Sequence, residues 1–168
     1  LGRMTQLVLP YMRKQRSGRI VNIASMGGRL TTPFCGWYHA TKYAVESISD
    51  ALRMEVAPFG IDVVVIEPGT IQTNWGVIAA QNIRKYSGTG DYRANADKAA
   101  QYYEARYGNP NGGLTDPRKI AQIICRAIAA KRPRTRYLVG KSAKLFIFLK
   151  TVLSDRAFQA ATTSTMGF

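Results

Sequence analysis

The order of apolar patterns along the chain predicts an α/β architecture in which a parallel sheet carries helices on both faces, three layers in all. Three observations carry this. Residues 19–24 (RIVNIA) and 61–66 (IDVVVI) are runs dominated by β-branched residues, with no in–out alternation, as befits strands buried on both faces. Stretches of helical period separate such runs. Turn residues, Ser17-Gly18 and Pro58-Phe59-Gly60, stop a helix just ahead of each strand.

Taken in order, residues 1–16 place Met4, Leu7, Val8, Tyr11 and Met12 at helical spacing, and Arg13, Lys14 and Arg16 suit the negative end of a helix dipole. The strand 19–24 follows, then a loop over 25–36 rich in Gly, Thr and Pro. A helix over 38–57 repeats Ala44, Ile48, Ala51, Leu52 and Glu55 on period, and the strand 61–66 ends in Glu67-Pro68-Gly69. Residues 74–114 change texture: Gly, Asn and Tyr are frequent and apolar residues sparse, which predicts a mobile insertion with one or two short helices. Thr115-Asp116-Pro117 is a helix start, with a capping side chain and a proline in the first turn. That helix is expected to reach residue 131, with a strand at 136–139. Ser142 is expected to cap a last helix holding Leu145, Phe146, Ile147, Phe148, Leu149, Val152 and Leu153, so that 141–168 form a basic C-terminal helix and tail. The whole chain, 1–168, reads as a portion of one domain. Three strands are few for a sheet covered on both faces, a first sign that something upstream is missing.

Bulk composition narrows the function classes. With 46% apolar and 10% aromatic residues among 168, the chain can build a core, which excludes a disordered or fibrous protein. No apolar run approaches the roughly 20 residues needed to cross a bilayer, and the first residues do not form a leader peptide. Cys35 and Cys125 cannot make a disulfide framework, and a single histidine, His39, excludes a histidine-cluster metal site. A cytoplasmic globular chain is expected. Charge is uneven: residues 116–168 hold eleven basic and two acidic groups out of a total net charge of +14. Such a tail suits an anionic membrane surface better than nucleic acid, because its lysines interleave with the apolar run 145–149; a solvated face is the plainer alternative.

The chemistry gathers at Tyr38-His-Ala-Thr-Lys42. Positions i and i+4 share a helix face, so phenol and ammonium are neighbours. An isolated phenol, with a pKa of about 10, is a poor acid or base at neutral pH. A cation some 4–5 Å away at an effective dielectric near 20 is worth roughly 3–4 kcal/mol, enough to draw that pKa down. Tyr38 would then exchange a proton with a substrate oxygen. Ser25 stands directly after the first strand, and Pro68-Gly69-Thr70-Ile71-Gln72-Thr73 directly after the second, both at the carboxyl edge where α/β sheets bind ligands.

These blocks, namely GRIVNIAS (18–25), Tyr38-x-x-x-Lys42, SDALRMEVAPFG (49–60) and IEPGTIQT (66–73), resemble the short-chain dehydrogenase/reductase family of the classical type, most of all its steroid and retinol dehydrogenase branch. The resemblance is close from residue 1 to about 76 and looser over 115–153. It implies a Rossmann-type fold and hydride transfer between NAD(P), with NADP favoured, and a lipophilic alcohol or ketone. Under it Tyr38 is the proton donor and acceptor, Lys42 holds the nicotinamide ribose and lowers the tyrosine pKa, and Ser25 holds the substrate oxygen. Pro68, Gly69 and Ile71 shape the nicotinamide pocket, and Thr73 lies near the carboxamide. The family associates as dimers or tetramers through helices matching 1–16 and 37–57. It also begins with a glycine-rich turn under the pyrophosphate and an Asn-Ala-Gly strand block. This sequence contains neither, and the family's catalytic asparagine would fall just upstream of Leu1, so the chain resembles a C-terminal portion whose cofactor-binding half is missing.

The remaining candidates are plainer. His39, next to Tyr38 in sequence, is expected to pack away from it, and Asn22 to serve the strand. Cys35 lies near the pocket without an activating neighbour. Tyr102, Tyr103 and Tyr107 either roof an apolar substrate or form the core of a short helix, and the last helix either packs beside the pocket or anchors at an interface. The alternative to an enzyme is a non-catalytic remnant or binding module with a basic tail.

Overall fold

A computed structural model describes residues 1–109 and 113–168. Its elements are α1 (Gly2–Gln15), β1 (Gly18–Ile23), α2 (Gly36–Val56), β2 (Ile61–Pro68), α3 (Trp75–Ser87), α4 (Arg93–Gly108), α5 (Pro117–Ala129), β3 (Arg136–Val139), α6 (Lys141–Val152) and α7 (Asp155–Thr165), with short 3₁₀ turns at Met26–Gly28, Ala57–Phe59 and Gly90–Tyr92. The strands form one parallel sheet in the order β1-β2-β3. Ile20 lies opposite Val63 and Ile23 opposite Ile66, while Val65 faces Arg136 across the other ladder.

The predicted β-branched runs fall where both faces are covered. Ile20, Ile61 and Val63 pack against Leu52 and Val56 of α2, with Leu9 and Met12 of α1 alongside. On the opposite face Val64, Ile66 and Val139 pack under Ala127, Ile120, Ile123 and Ile124 of α5. The three layers are therefore helix, sheet and helix, Rossmann-like as expected. Burial of each such side chain contributes roughly 1.5–3 kcal/mol, and the central strand holds most of them. Polar ties fix the layers in register. Asn22 Nδ2 donates to Ser49 Oγ at 2.9 Å, and Ser49 Oγ donates to the Val45 carbonyl at 2.6 Å, so β1 is locked to α2 through groups with no access to water. Arg19 pairs with Asp62 and also donates to the carbonyls of Ala127 and Ala130, covering the C-terminus of α5.

Several expectations need correction. The segment 74–114 holds two helices of 13 and 16 residues, longer than the short helices its composition suggested. Ala80, Ala96, Ala99 and Ala100 are entirely buried where α3 and α4 meet, so the hairpin is cored by methyl groups that let the backbones approach closely. Arg84 of α3 pairs with Glu104 and Asp97 of α4 across the outside. Ser142 does not cap α6: the helix begins at Lys141, its cap is Gly140 at φ 111°, and Ser142 Oγ lies 3.1 Å from Thr70 Oγ1. The expected tail is a further helix, α7, capped by Ser154, whose hydroxyl accepts from the Ala157 amide. The helix α5 ends at Ala129 rather than 131.

The last two helices divide their apolar residues. Ile147 and Phe158 are buried with Leu30, whereas Leu145, Phe148 and Val152 stand exposed on one face of α6. No helix among the described residues is long and apolar enough to cross a membrane. On the side of β1 away from β2, no strand pairs with it among the described residues. Leu1, Met4, Val8, Met12, Ile20 and Ile23 line a shallow groove there, and Ile23 is 43% exposed.

Candidate active site

The site is assembled where β1 and β2 end. The parallel pairing runs one residue beyond β1, the Ala24 amide donating to the Ile66 carbonyl at 2.9 Å, and this delivers Ser25 to the carboxyl edge of the sheet. Ser25 is nearly buried and in extended backbone. Its Oγ accepts from the Gly27 amide at 3.0 Å, lies 3.4 Å from the Pro68 carbonyl, and hydrogen-bonds the Tyr38 phenol. Gly27 and Gly28 are required by contact rather than by φ. A Cβ on Gly27 would stand 2.8 Å from His39 Nδ1 and 3.2 Å from the Tyr38 ring, and one on Gly28 would stand 2.8 Å from the Lys42 carbonyl. The turn thus rests directly on the first coils of α2.

His39 clamps that turn from the other side. Its Nε2 accepts from the Thr32 amide at 3.1 Å, which obliges Nδ1 to carry the proton that it donates to the Gly27 carbonyl at 2.8 Å. Burial pushes the imidazole pKa below its usual range, so it stays neutral. It is a packing residue, but it does not point away from Tyr38 as expected: the two rings stand 5.5 Å apart edge to face, and His39 borders the cavity. Thr32 Oγ1 lies 3.2 Å from the Tyr103 hydroxyl and Cys35 Sγ 3.3 Å from it, so one chain of polar contacts ties the Ser25 turn to α4. Cys35 is buried and its thiol pKa raised, which makes it unreactive.

Lys42 does not do to Tyr38 what the spacing predicted. Its Nζ donates to the Ile23 carbonyl at 3.1 Å and stands 5.9 Å from the centre of the phenol ring. Burial pushes the Tyr38 pKa up, the hydrogen bond from Ser25 offsets only part of this, and the phenol lies above its ordinary 10. The reason is desolvation: the ring is covered by Trp75 at 5.1 Å and by His39 at 5.5 Å, and removing water penalises the phenolate more than the distant ammonium favours it. Tyr38 is therefore a protonated donor at neutral pH. Burial also lowers the Lys42 pKa.

The second strand end supplies the facing wall. The Gly69 amide donates to the Val139 carbonyl at 2.9 Å, and Thr115 bridges Thr70 and Gln72 through its amide and carbonyl, each at 3.0 Å, so residues 69–73 are held as a shelf. Ser25, Tyr38, Pro68, Gly69, Ile71 and Thr73 all line one cavity of about 510 Å³. Lys42 is not on its wall; among the described residues its Nζ makes one hydrogen bond, to the Ile23 carbonyl. Sequence reasoning missed Trp75, Phe158, Thr162 and Met166, which line the cavity, whereas Phe146 lines it from the helix that one reading placed beside the pocket. Of the three tyrosines, Tyr103 is buried in the hairpin core, and all three border the cavity.

A charge cluster built around the buried carboxylates Glu46 and Glu67 was not foreseen. Arg136 of β3 reaches Glu46 and Asp50 of α2 and Glu67 of β2, with Nε 3.2 Å from Glu46 and 3.1 Å from Glu67, while Arg29 approaches Glu67 from above. Burial, reinforced by the neighbouring Glu67 carboxylate, pushes Glu46 up to about 7.

Comparison with known proteins agrees with this geometry. A model of the short chain dehydrogenase family matches residues 2–82. A 3-ketodihydrosphingosine reductase of Bacteroides thetaiotaomicron is 39% identical over 94% of this chain and 57% of its own length. The crystal structure of a short-chain dehydrogenase from Streptomyces avermitilis superposes with a TM-score of 0.69 at 32% identity, over 97% of this chain and 55% of that one. An actinorhodin polyketide ketoreductase solved with NADPH superposes with a TM-score of 0.55 at 28% identity, over 79% of this chain and 49% of that one. The chain spans about half the length of the curated relatives it matches. On sheet order, on the convergence of Ser25, Tyr38 and Lys42, and on likeness along nearly all of its residues, the chain belongs to the short-chain dehydrogenase/reductase family.

Proposed function

We propose that these residues form the catalytic wall of an NAD(P)H-dependent reductase that converts an apolar ketone to its alcohol. The observation that carries this reading is the Tyr38 phenol, protonated and bonded to Ser25, facing a cavity whose other walls are mainly aromatic and aliphatic. Bound in this family's manner, a reduced nicotinamide supplies hydride to the carbonyl carbon. The Ser25 hydroxyl holds the carbonyl oxygen, and Tyr38 gives its phenolic proton to that oxygen as negative charge develops there. At neutral pH the phenol carries its proton, so it is in the form that this direction requires. Lys42, with N–H groups to spare, fits the paired hydroxyls of a ribose, and the shelf Pro68-Gly69-Thr70-Ile71 fits the flat face of a nicotinamide, with Thr73 beside its carboxamide. Similar chains have been solved both with NADPH and with NAD, which supports NAD(P) as the cofactor class; the preference for NADP is part of the proposal. Apolar side chains left exposed on α1 and α2, among them Met4, Leu7, Tyr11, Trp37 and Met54, support association into dimers or tetramers through those helices.

The test is NADPH oxidation by the full-length protein with 2-decanone against acetone. Each added methylene buried in the cavity is worth about 0.8 kcal/mol, so kcat/KM should rise by at least about tenfold from the small ketone to the long one. Equal rates would refute an apolar substrate, and no oxidation with any ketone despite bound NADPH would refute the reductase itself.

A further inference from the structure

The cavity has one feature that an apolar ketone does not explain. Among the side chains that line it, Arg106 is the only one bearing a full charge; the others are aromatic, aliphatic or carry hydroxyls, apart from neutral His39. Arg106 sits in the last turn of α4 and is half-buried. The cations that tie the fold together are paired: Arg19 with Asp62, Arg29 with Glu67, Arg84 with Glu104 and Asp97, and Arg136 with Glu46, Asp50 and Glu67. Arg106 makes no ion pair among the described residues. The two acids nearest it in sequence on α4, Asp97 and Glu104, are both drawn to Arg84 on the neighbouring helix. The hairpin therefore neutralises Arg84 twice over and leaves Arg106, at the cavity, without a carboxylate among the described residues.

Its position relative to Tyr38 is fixed by a ladder of rings. Trp75 packs on Tyr38 at 5.1 Å, and Tyr107 packs on Trp75 at 5.7 Å. Tyr107 in turn lies against Gly76, where any side chain would collide with its ring. Arg106 immediately precedes Tyr107 in α4 and lines the same cavity as Tyr38, Trp75 and Tyr107. A half-desolvated guanidinium on an apolar wall loses hydration that only an anion restores, and its planar fork suits a carboxylate or phosphate.

We propose that the cavity takes an apolar molecule bearing an anionic group, and that Arg106 binds that group while the rings hold the hydrocarbon. This rests on the reading of the cavity as a substrate site and names the class of molecule that fills it. A cationic amine at the same place would be repelled.

The experiment titrates dodecanoate, dodecyl phosphate, dodecanol and dodecylamine, each below its aggregation concentration, into the protein and into its Arg106→Gln and Arg106→Lys variants. Fluorescence of Trp75 in a Trp37→Phe background reports binding, because Trp37 is 90% exposed and away from the cavity wall. Dodecanoate or dodecyl phosphate should bind about tenfold more tightly than dodecanol at low salt, with dodecylamine weakest. Arg106→Gln should erase that preference and leave dodecanol unchanged, and Arg106→Lys should keep part of it. Whichever of the two anions binds more tightly identifies the group. Equal binding of anion and alcohol, or equal weakening of both by Arg106→Gln, would overturn the proposal while leaving the apolar cavity in place. Failure of every probe to bind the unaltered site would overturn the proposal and the substrate-site reading together.

Discussion

Tyr38, Lys42 and Ser25 are brought together as their spacing implied, yet the electrostatics run opposite to the simplest expectation. Spacing places Lys42 on the same helix face as Tyr38, but it says nothing of Trp75, which arrives from a different element and removes water from the phenol. Desolvation depends on tertiary neighbours, which is why the direction of the shift was not legible in a five-residue motif. The same holds for the two glycines after Ser25. In sequence they look like loop filler; in the structure they are the only residues that let the turn touch His39 and the Lys42 carbonyl. Gly27→Ala should push against both His39 and Tyr38, costing about 1–3 kcal/mol through overpacking. It should also lower kcat through displacement of the phenol. Thermal unfolding and turnover measured together would check this, and an alanine variant with unchanged stability and rate would show that the turn is looser than described.

Among the elements, the strands were legible because a buried parallel strand has a distinctive sequence: RIVNIA and IDVVVI are dominated by β-branched residues without in–out alternation, and β1 and β2 cover all of them but Ala24. The hairpin of α3 and α4 was not, because its core is alanine, a residue that marks neither strand nor amphipathic helix by size. The buried cluster on α2, β2 and β3 was hidden for another reason: Glu46, Glu67 and Arg136 are far apart in sequence and meet only through the sheet register. That cluster carries a pH signature. Glu46 has an ordinary value of 4.5 and is pushed up to about 7, so the folded state binds its proton more tightly than the unfolded chain. Stability from this group is full below 4.5 and declines as pH rises to about 7. Asp50, Glu67 and Arg136 face it and set that balance. Glu46→Gln should flatten the fall in denaturation midpoint between pH 5 and 8, with the variant gaining relative to the parent at the alkaline end. Parallel pH curves for the two proteins would contradict the assignment.

For the whole molecule, the consequence lies at the open side of β1. No residue of α1 is fully buried, and the groove beside Ile20 and Ile23 is lined by Leu1, Met4, Val8 and Met12. An apolar parallel edge of this kind pairs readily with another chain. Residues 1–168 alone should therefore sediment as dimers or larger species and, under the proposed reading in which they supply the nicotinamide end of the site, bind NADPH no more tightly than millimolar. A monomer with micromolar NADPH affinity would contradict this. The central claim is that Tyr38, which stands protonated beside Ser25 at the cavity, is the acid of a carbonyl reduction, and the most direct test is single-turnover NADPH oxidation by the full-length protein and its Tyr38→Phe variant. The account predicts unchanged NADPH binding and a loss of about two to four orders of magnitude in the rate of reduction. A variant that retained more than a few per cent of the parent rate would contradict it.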